Sequence, residues 1–356
     1  MISKLMSFEG QSYQCKRPEN LPQSTAGPGF VFQDFTIKSR SLDIFCIHNC
    51  YINFDRHGAI VYDSDFNPIK EVSDCFDEYY REKIESFNKQ ALSKNAHFIP
   101  GETLSIIPFK AKANFSHFLL EGLPRLVILD EIHSSDGLKV IIDKNFSNLI
   151  EGFISASSKQ KISPLYFSDQ GVFKFERLYI TAPLKHPLHS GNPKLKKFLT
   201  SISNKIKLEN KHHKDKAISR LYVHRKQGRR GVKNEEDVIK ILKKYGFHIC
   251  NLEDYTLNEQ AGLFSTAEIV IGVHGAGLSN IVFSTARAAA LIEVFPEVYA
   301  TPAFWYLSRI MGMKYFAVVS NDLKNDPSLK FNDVFVDCEK LESYICMAIE
   351  SLKNDF

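Results

Sequence analysis

A chain of 356 residues, 44% hydrophobic and 24% charged, has the composition of a soluble globular protein long enough for two domains, which excludes a disordered or low-complexity chain. The net charge of +4 is modest, no run of about 18 apolar residues marks a membrane span, and the opening MISKLMSFEGQSYQC lacks the apolar core of a signal peptide, so a cytoplasmic protein is expected. Seven cysteines without a CxxC pair fit reduced, buried thiols better than a disulfide framework.

In chain order, residues 30–73 read as strands and hairpins. Alternation places Cys46, His48 and Cys50 of CIHNC on one strand face, where core cysteines are favoured over a zinc site. Asp63 to Asp65 (DSD) lie between alternating strands and read as a hairpin turn ahead of a metal-binding DxD. Helical DEYYREKIESFNKQAL follows, then the helix NFSHFLLEGLPRLVILDEI, the strand LKVIID, the helix FSNLIEGFIS and the strand FKFERLYIT, an α/β unit with extra β structure at its start. Residues 184–217 form a basic, partly helical linker, read chiefly as solvated surface and secondarily as a face for anions, membrane or phosphorylated substrate; nucleic acid is disfavoured because aromatics do not interleave with it.

Beyond the linker, strands ISRLYVH, FHICNL, EIVIGV, ALIEVF and KYFAVVS alternate with helical segments, the pattern of a doubly wound parallel sheet. The helix NEEDVIKILKKYG has Asn234 as its expected N-cap and Gly246 as its stop. LESYICMAIESLK puts Leu341, Ile345, Ala348, Ile349 and Leu352 on one face of a closing helix. The expected divisions are an N-terminal α/β domain at 1–183, the linker at 184–217, a Rossmann-like domain at 218–330 and the closing helix at 331–356.

Two clusters carry candidate chemistry. GVHGAGLSN joins a parallel strand to a helix start, so the backbone at Gly275, Ala276 and Gly277 and the His274 side chain offer donors to an anion such as a nucleotide diphosphate. Its spacing is neither the GxGxxG fingerprint nor a P-loop. Arg225, Arg229 and Arg230 of HRKQGRR leave the same sheet edge and suit bidentate phosphate contacts, while Asn280 and Glu293 are candidates for the donor nucleoside, Glu293 through ribose hydroxyls or else in a buried ion pair. In the first half, helical spacing lines up Asn114, His117, Glu121 and Arg125 opposite Phe115, Phe118, Leu119 and Leu126. This stripe is either an ordinary solvated face or a catalytic one, on which His117 is the expected general base with Glu121 orienting it, the reverse assignment being the alternative, and Asn114 and Arg125 are expected on the side of the substrate that gives up the proton.

HRKQGRRGVKNEED, NEQAGLFSTAEIVIGVHGAGLSNIVF and ALIEVFP resemble the signature of glycosyltransferase family 61, and NFSHFLLEGLPRL is similar to that family's N-domain segment. The resemblance covers residues 114–126 and 219–296. It implies an inverting transferase of GT-B architecture, two Rossmann-like domains facing a cleft, with the nucleotide sugar as co-substrate on the C-terminal one. The family's first arginine falls on Arg225, its second on Arg229 or Arg230 depending on which side of the loop is aligned, and its histidine on His274. Eukaryotic relatives carry a membrane anchor, which this sequence lacks. A cytoplasmic, bacterial-type enzyme of capsule or lipopolysaccharide synthesis is therefore expected, peripheral at an anionic inner membrane, with a glycan or lipid-linked glycan acceptor. No cofactor is expected, since arginines and a helix N-terminus that bind the diphosphate would make a metal unnecessary. The alternative is a non-catalytic nucleotide-sugar-binding scaffold or sensor.

Overall fold

The computed structural model describes residues 2–18, 32–55, 57–86, 88–108, 114–132, 134, 137–157, 160–168, 170–186, 189–210, 218–225, 230–286, 289–296, 301–320 and 333–353. By internal contacts the chain forms two compact units, Met1–Gln11 with Ser39–Phe198 and Ser12–Lys38 with Leu199–Phe356. Both are α/β. In chain order the strands are β1 (Ile2–Phe8), β2 (Ser12–Cys15), β3 (Phe35–Lys38), β4 (Leu42–Asp55), β5 (Gly58–Tyr62), β6 (Asp74–Cys75), β7 (His97–Ser105), β8 (Leu138–Asp143), β9 (Ile162–Phe167), β10 (Gly171–Thr181), β11 (Arg220–Val223), β12 (His248–Cys250), β13 (Ile269–Val273), β14 (Ala290–Pro296) and β15 (Lys314–Ser320).

The first unit is built on an eight-stranded sheet in the order β6-β5-β4-β10-β7-β8-β9, with β1 added along β4. Pairing is antiparallel from β6 to β10 and parallel from β10 to β9. The antiparallel half is the extra β structure expected upstream. Ile47, Cys50, Ile52, Ile141, Phe175, Leu178 and Ile180 share one apolar cluster. Asn49, with φ 50°, interrupts the alternation read from CIHNC. Cys50 consequently joins Ile47 in the core, while Cys46 Sγ lies 3.7 Å from His48 Nε2, so the three side chains do not share a face. DSD forms the expected turn: Asp63 Oδ1 accepts from the N–H groups of Asp65 and Asn67 at 2.9 and 2.8 Å, an Asx turn.

The helix read over DEYYREKIESFNKQAL is two helices, Asp77–Glu85 and Lys89–Lys94. The helix read from Asn114 changes pitch twice. An α-helical turn (Phe115–His117) passes into a π-helix (Phe118–Gly122) and then a 3-10 helix (Leu123–Asp130). Pro124 contributes to this, having no N–H for the ordinary ladder. Gly122 lies so near the chain leaving β7 that a Cβ there would stand 2.7 Å from Ile106 O. Such π-turns widen a helix by one residue and recur at functional sites.

The second unit holds a five-stranded parallel sheet in the order β12-β11-β13-β14-β15. On one face Ile269, Ile271, Val273, Ala290, Ile292 and Val294 meet Val238 and Leu242 of the helix Glu235–Lys244 and Leu341, Ile345, Ala348 and Leu352 of Cys338–Lys353, where the closing helix docks. The helices Leu257–Thr266 and Ala303–Met311 and the 3-10 segment Ala276–Phe283 pack together over the other. Asn234 occupies the predicted N-cap, but its amide exchanges hydrogen bonds with the backbone of Val336, both at 2.9 Å, instead of capping its own helix. Residues 12–38 complete this unit. β2 pairs with β3, Lys16 O accepts from Trp305 Nε1 at 3.2 Å, and the Phe32 ring lies 5.7, 5.5 and 5.8 Å from those of Phe295, Trp305 and Tyr315.

Candidate active site

In the second sheet β11 has β12 on one side and β13 on the other, so the strand order reverses at the carboxyl ends of β11 and β13. Doubly wound sheets bind ligands there. Arg225 follows β11 and His274 follows β13, and Arg225 Nη1 donates to His274 O at 3.1 Å. The guanidinium lies so close over Gly275 that a Cβ would stand 2.0 Å from Nη1. Gly275 itself is extended, with φ 179°, so space rather than backbone conformation demands glycine. Ala276 and Gly277, both half-buried, open the 3-10 segment, whose first N–H groups have no partner within the turn.

Behind this knot the His274 ring is held from the interior. Nδ1 donates to Glu293 Oε1, and Glu293 Oε2 accepts from the Tyr315 hydroxyl at 2.6 Å. Burial, together with the charge and hydrogen bond of Glu293, raises the Tyr315 phenol well above its usual range, so it stays a neutral donor. Glu293 is 0% exposed. The ribose contact expected of Glu293 gives way to an anchoring role, because an isolated carboxylate in an apolar strand is costly and both its oxygens are engaged. Asn280 is equally interior, donating to Gln260 Oε1 at 3.0 Å and Gly277 O at 3.1 Å. Gln260 in turn donates to Leu252 O and Tyr255 O at 2.9 and 3.1 Å, and Glu259 forms a capping box with Thr256. The Glu259-Gln260 and Asn280 portions of the signature therefore brace the knot. Arg230 takes φ 63° and is largely buried, next to Gly231, whose N–H donates to Asp333 Oδ1 at 2.7 Å. Arg229 lies outside the described residues.

In the first unit the pitch change turns the far end of the expected polar stripe inward, burying Glu121 and Arg125 while Asn114 stays exposed and His117 half-buried. Asn114 caps the helix, its Oδ1 accepting from the N–H groups of Ser116 and His117 at 3.0 and 3.4 Å. His117 Nδ1 donates to Glu121 Oε2 at 2.9 Å, and the His186 N–H donates to Glu121 Oε1 at 2.9 Å. His186 belongs to the loop after β10, a parallel neighbour of β7, so two adjacent strand ends supply this site. Burial pushes the Glu121 carboxyl up, but the hydrogen bond and charge of His117, the His186 N–H and Arg125 outweigh it and hold the group below its usual range. Arg125 departs most from the expected acceptor-facing stripe. It is 1% exposed, with Nε on Glu121 O at 2.9 Å, Nη1 on Ile107 O at 3.1 Å and Nη2 3.5 Å from Asp74 Oδ2. It anchors the segment from within. His186, Asp74 and Tyr315 are absent from the sequence reading, and Gln260 enters it only within the signature, since each is tied to its partner only by folding.

No curated protein matches the chain. Residues 115–291 match the model of the family described as Glycosyltransferase 61, a stretch that includes His117, Glu121, Arg125, Arg225, His274 and Asn280 and stops short of Glu293 and Tyr315. That match supports placing the chain in glycosyltransferase family 61, as a glycosyltransferase.

Proposed function

We propose that the chain is an inverting glycosyltransferase that moves a sugar from a nucleotide sugar to a hydroxyl of a glycan or lipid-linked glycan, in synthesis of a bacterial capsule or lipopolysaccharide, with a GT-B layout. The observation that carries the donor half is Arg225 Nη1, 3.1 Å from His274 O over the bare Cα of Gly275, where the strand order reverses. A guanidinium, an imidazolium that donates through Nε2 and the start of the 3-10 segment supply donors for diphosphate oxygens. With positive charge furnished this way the reaction needs no divalent metal, and activity should persist in chelator.

On the acceptor side His117 is the more exposed member of its pair, and Glu121 is held ionised, which suits it to stabilise an imidazolium rather than to take the proton itself. The acceptor oxygen bonds to the anomeric carbon while the bond from that carbon to the diphosphate oxygen breaks. The hydroxyl proton goes to His117, and the diphosphate leaves with the electron pair toward Arg225 and His274. Attack from the face opposite the leaving group favours a base from the unit that does not hold the nucleotide. The basic stretch 184–217 suits a cytoplasmic enzyme resting on an anionic membrane, and retention on anionic liposomes that fades as salt rises would test that placement. A nucleotide-release assay over a panel of nucleotide sugars tests the reaction. Binding of a nucleoside diphosphate without turnover of any donor would favour a non-catalytic scaffold.

A further inference from the structure

We infer that Tyr315 is a positioning residue for His274, acting through the carboxylate of Glu293. It stands in KYFAVVS, an apolar strand with no signature residue, and both it and Glu293 lie beyond the residues matched by the family. The inference rests on the reading of His274 as a diphosphate ligand. The three groups form an unbroken buried line: Tyr315 hydroxyl to Glu293 Oε2 at 2.6 Å, then Glu293 Oε1 to His274 Nδ1. Glu293 reaches the His274 ring from β14, Tyr315 stands beyond it on β15, Arg225 approaches the His274 carbonyl from β11, and Phe304 packs on the imidazole at 5.1 Å between ring centres.

Commitment of Nδ1 to a carboxylate fixes which nitrogen can serve a ligand. A carboxylate only accepts, so Nδ1 keeps its proton, and a contact of this ring with a phosphate oxygen must run through Nε2, which donates only as the imidazolium. Tyr315 makes the arrangement rigid. Without its hydroxyl, Glu293 Oε2 loses the donor that holds it, and the carboxylate can rotate, carrying the ring with it. Phe32 closes the line from outside, its ring 5.8 Å from that of Tyr315, so the hydrogen bonds lie in a dry, low-dielectric setting where their geometry is most strongly enforced.

A double-mutant cycle tests this by calorimetry with uridine, cytidine and guanosine diphosphates on the full chain. Tyr315→Phe should weaken the best-bound diphosphate roughly three- to tenfold in the native background. It should have no further effect in His274→Ala, because a residue that works through the imidazole has nothing left to position. Equal weakening in both backgrounds, or none in the native one while His274→Ala weakens binding, overturns the inference and leaves the diphosphate reading standing. If His274→Ala binds as the native chain does, or none of the three diphosphates binds, that reading fails and the ring nitrogens decide. In nitrogen-15 spectra of the folded protein, with His274 assigned by its loss in His274→Ala, Tyr315→Phe and Glu293→Gln should both shift the Nδ1 and Nε2 resonances. Unchanged resonances in both variants overturn the inference by that route.

Discussion

Each unit sets one histidine against one glutamate at the carboxyl edge of parallel strands, and the two pairs are held in different ways. The His117 side chain is 43% exposed and Glu121 11%, whereas His274 is 9% exposed and Glu293 is sealed at 0%. The first carboxylate is fixed by a loop N–H from His186, the second by a phenol from a neighbouring strand. A histidine that exchanges a proton with an incoming hydroxyl needs an open side, while one that only holds an anion gains from a rigid backing. The difference in burial is thus the physical ground for giving the two rings different tasks.

The sharpest way to break that division is to remove each ring. His117→Ala should lose a factor on the order of 10²–10⁴ in turnover while binding nucleoside diphosphate like the native protein, and Glu121→Gln should be impaired less. His274→Ala should instead weaken the diphosphate. If Glu121→Gln loses turnover that His117→Ala keeps, the roles within the first pair are reversed.

The next effect falls on stability. Arg125→Ala leaves the interior around Asp74, Ile107 O and Glu121 O without its guanidinium, and loss of one partner of a buried pair costs about 3–5 kcal/mol, measurable as a shift in the urea midpoint. A variant as stable as the native chain would return Arg125 to a substrate-facing role. In the second unit, Gly275→Ala would press a methyl into Arg225 Nη1 and should reproduce the roughly tenfold loss of diphosphate affinity expected for Arg225→Ala. Native affinity in Gly275→Ala would show by calorimetry that the guanidinium is not needed where it now lies.

The last effect is a pH dependence in the loop beside the first pair. His189, in the loop that carries His186, is brought down from 6.5 to about 4, chiefly by burial. Between those values the unfolded chain binds a proton that the folded chain refuses. Stability therefore falls as pH drops through 6.5 and the loss is complete near pH 4, roughly 1–3 kcal/mol. His189→Gln should flatten that part of the stability-against-pH curve. An unchanged slope would assign the acid sensitivity elsewhere.

What could be read from the sequence followed local rules. The second sheet was legible because strands and helices alternate within short spans, and Asp63 announced its turn because an Asx turn is made by neighbours. His117 and Glu121 were found together since one helical turn separates them. Other features lay beyond local pattern. Glu293 and Asn280 resembled ligand residues by type, and only the partners at Tyr315 and Gln260 reveal them as bracing. The inward turn of Arg125 follows from a pitch change that a uniform 3.6-residue period conceals. Phe32 carries no local mark of its place against residues more than 260 positions away.

That placement bears on how the protein is made. Residues 12–38 leave the ribosome more than 250 residues ahead of Phe295, Trp305 and Tyr315, the rings that pack on Phe32. The second unit cannot close its apolar interior around Phe32 until those three rings have been synthesised, so a nascent segment carrying Phe32 must wait, uncovered and open to chaperones, for a partner not yet built.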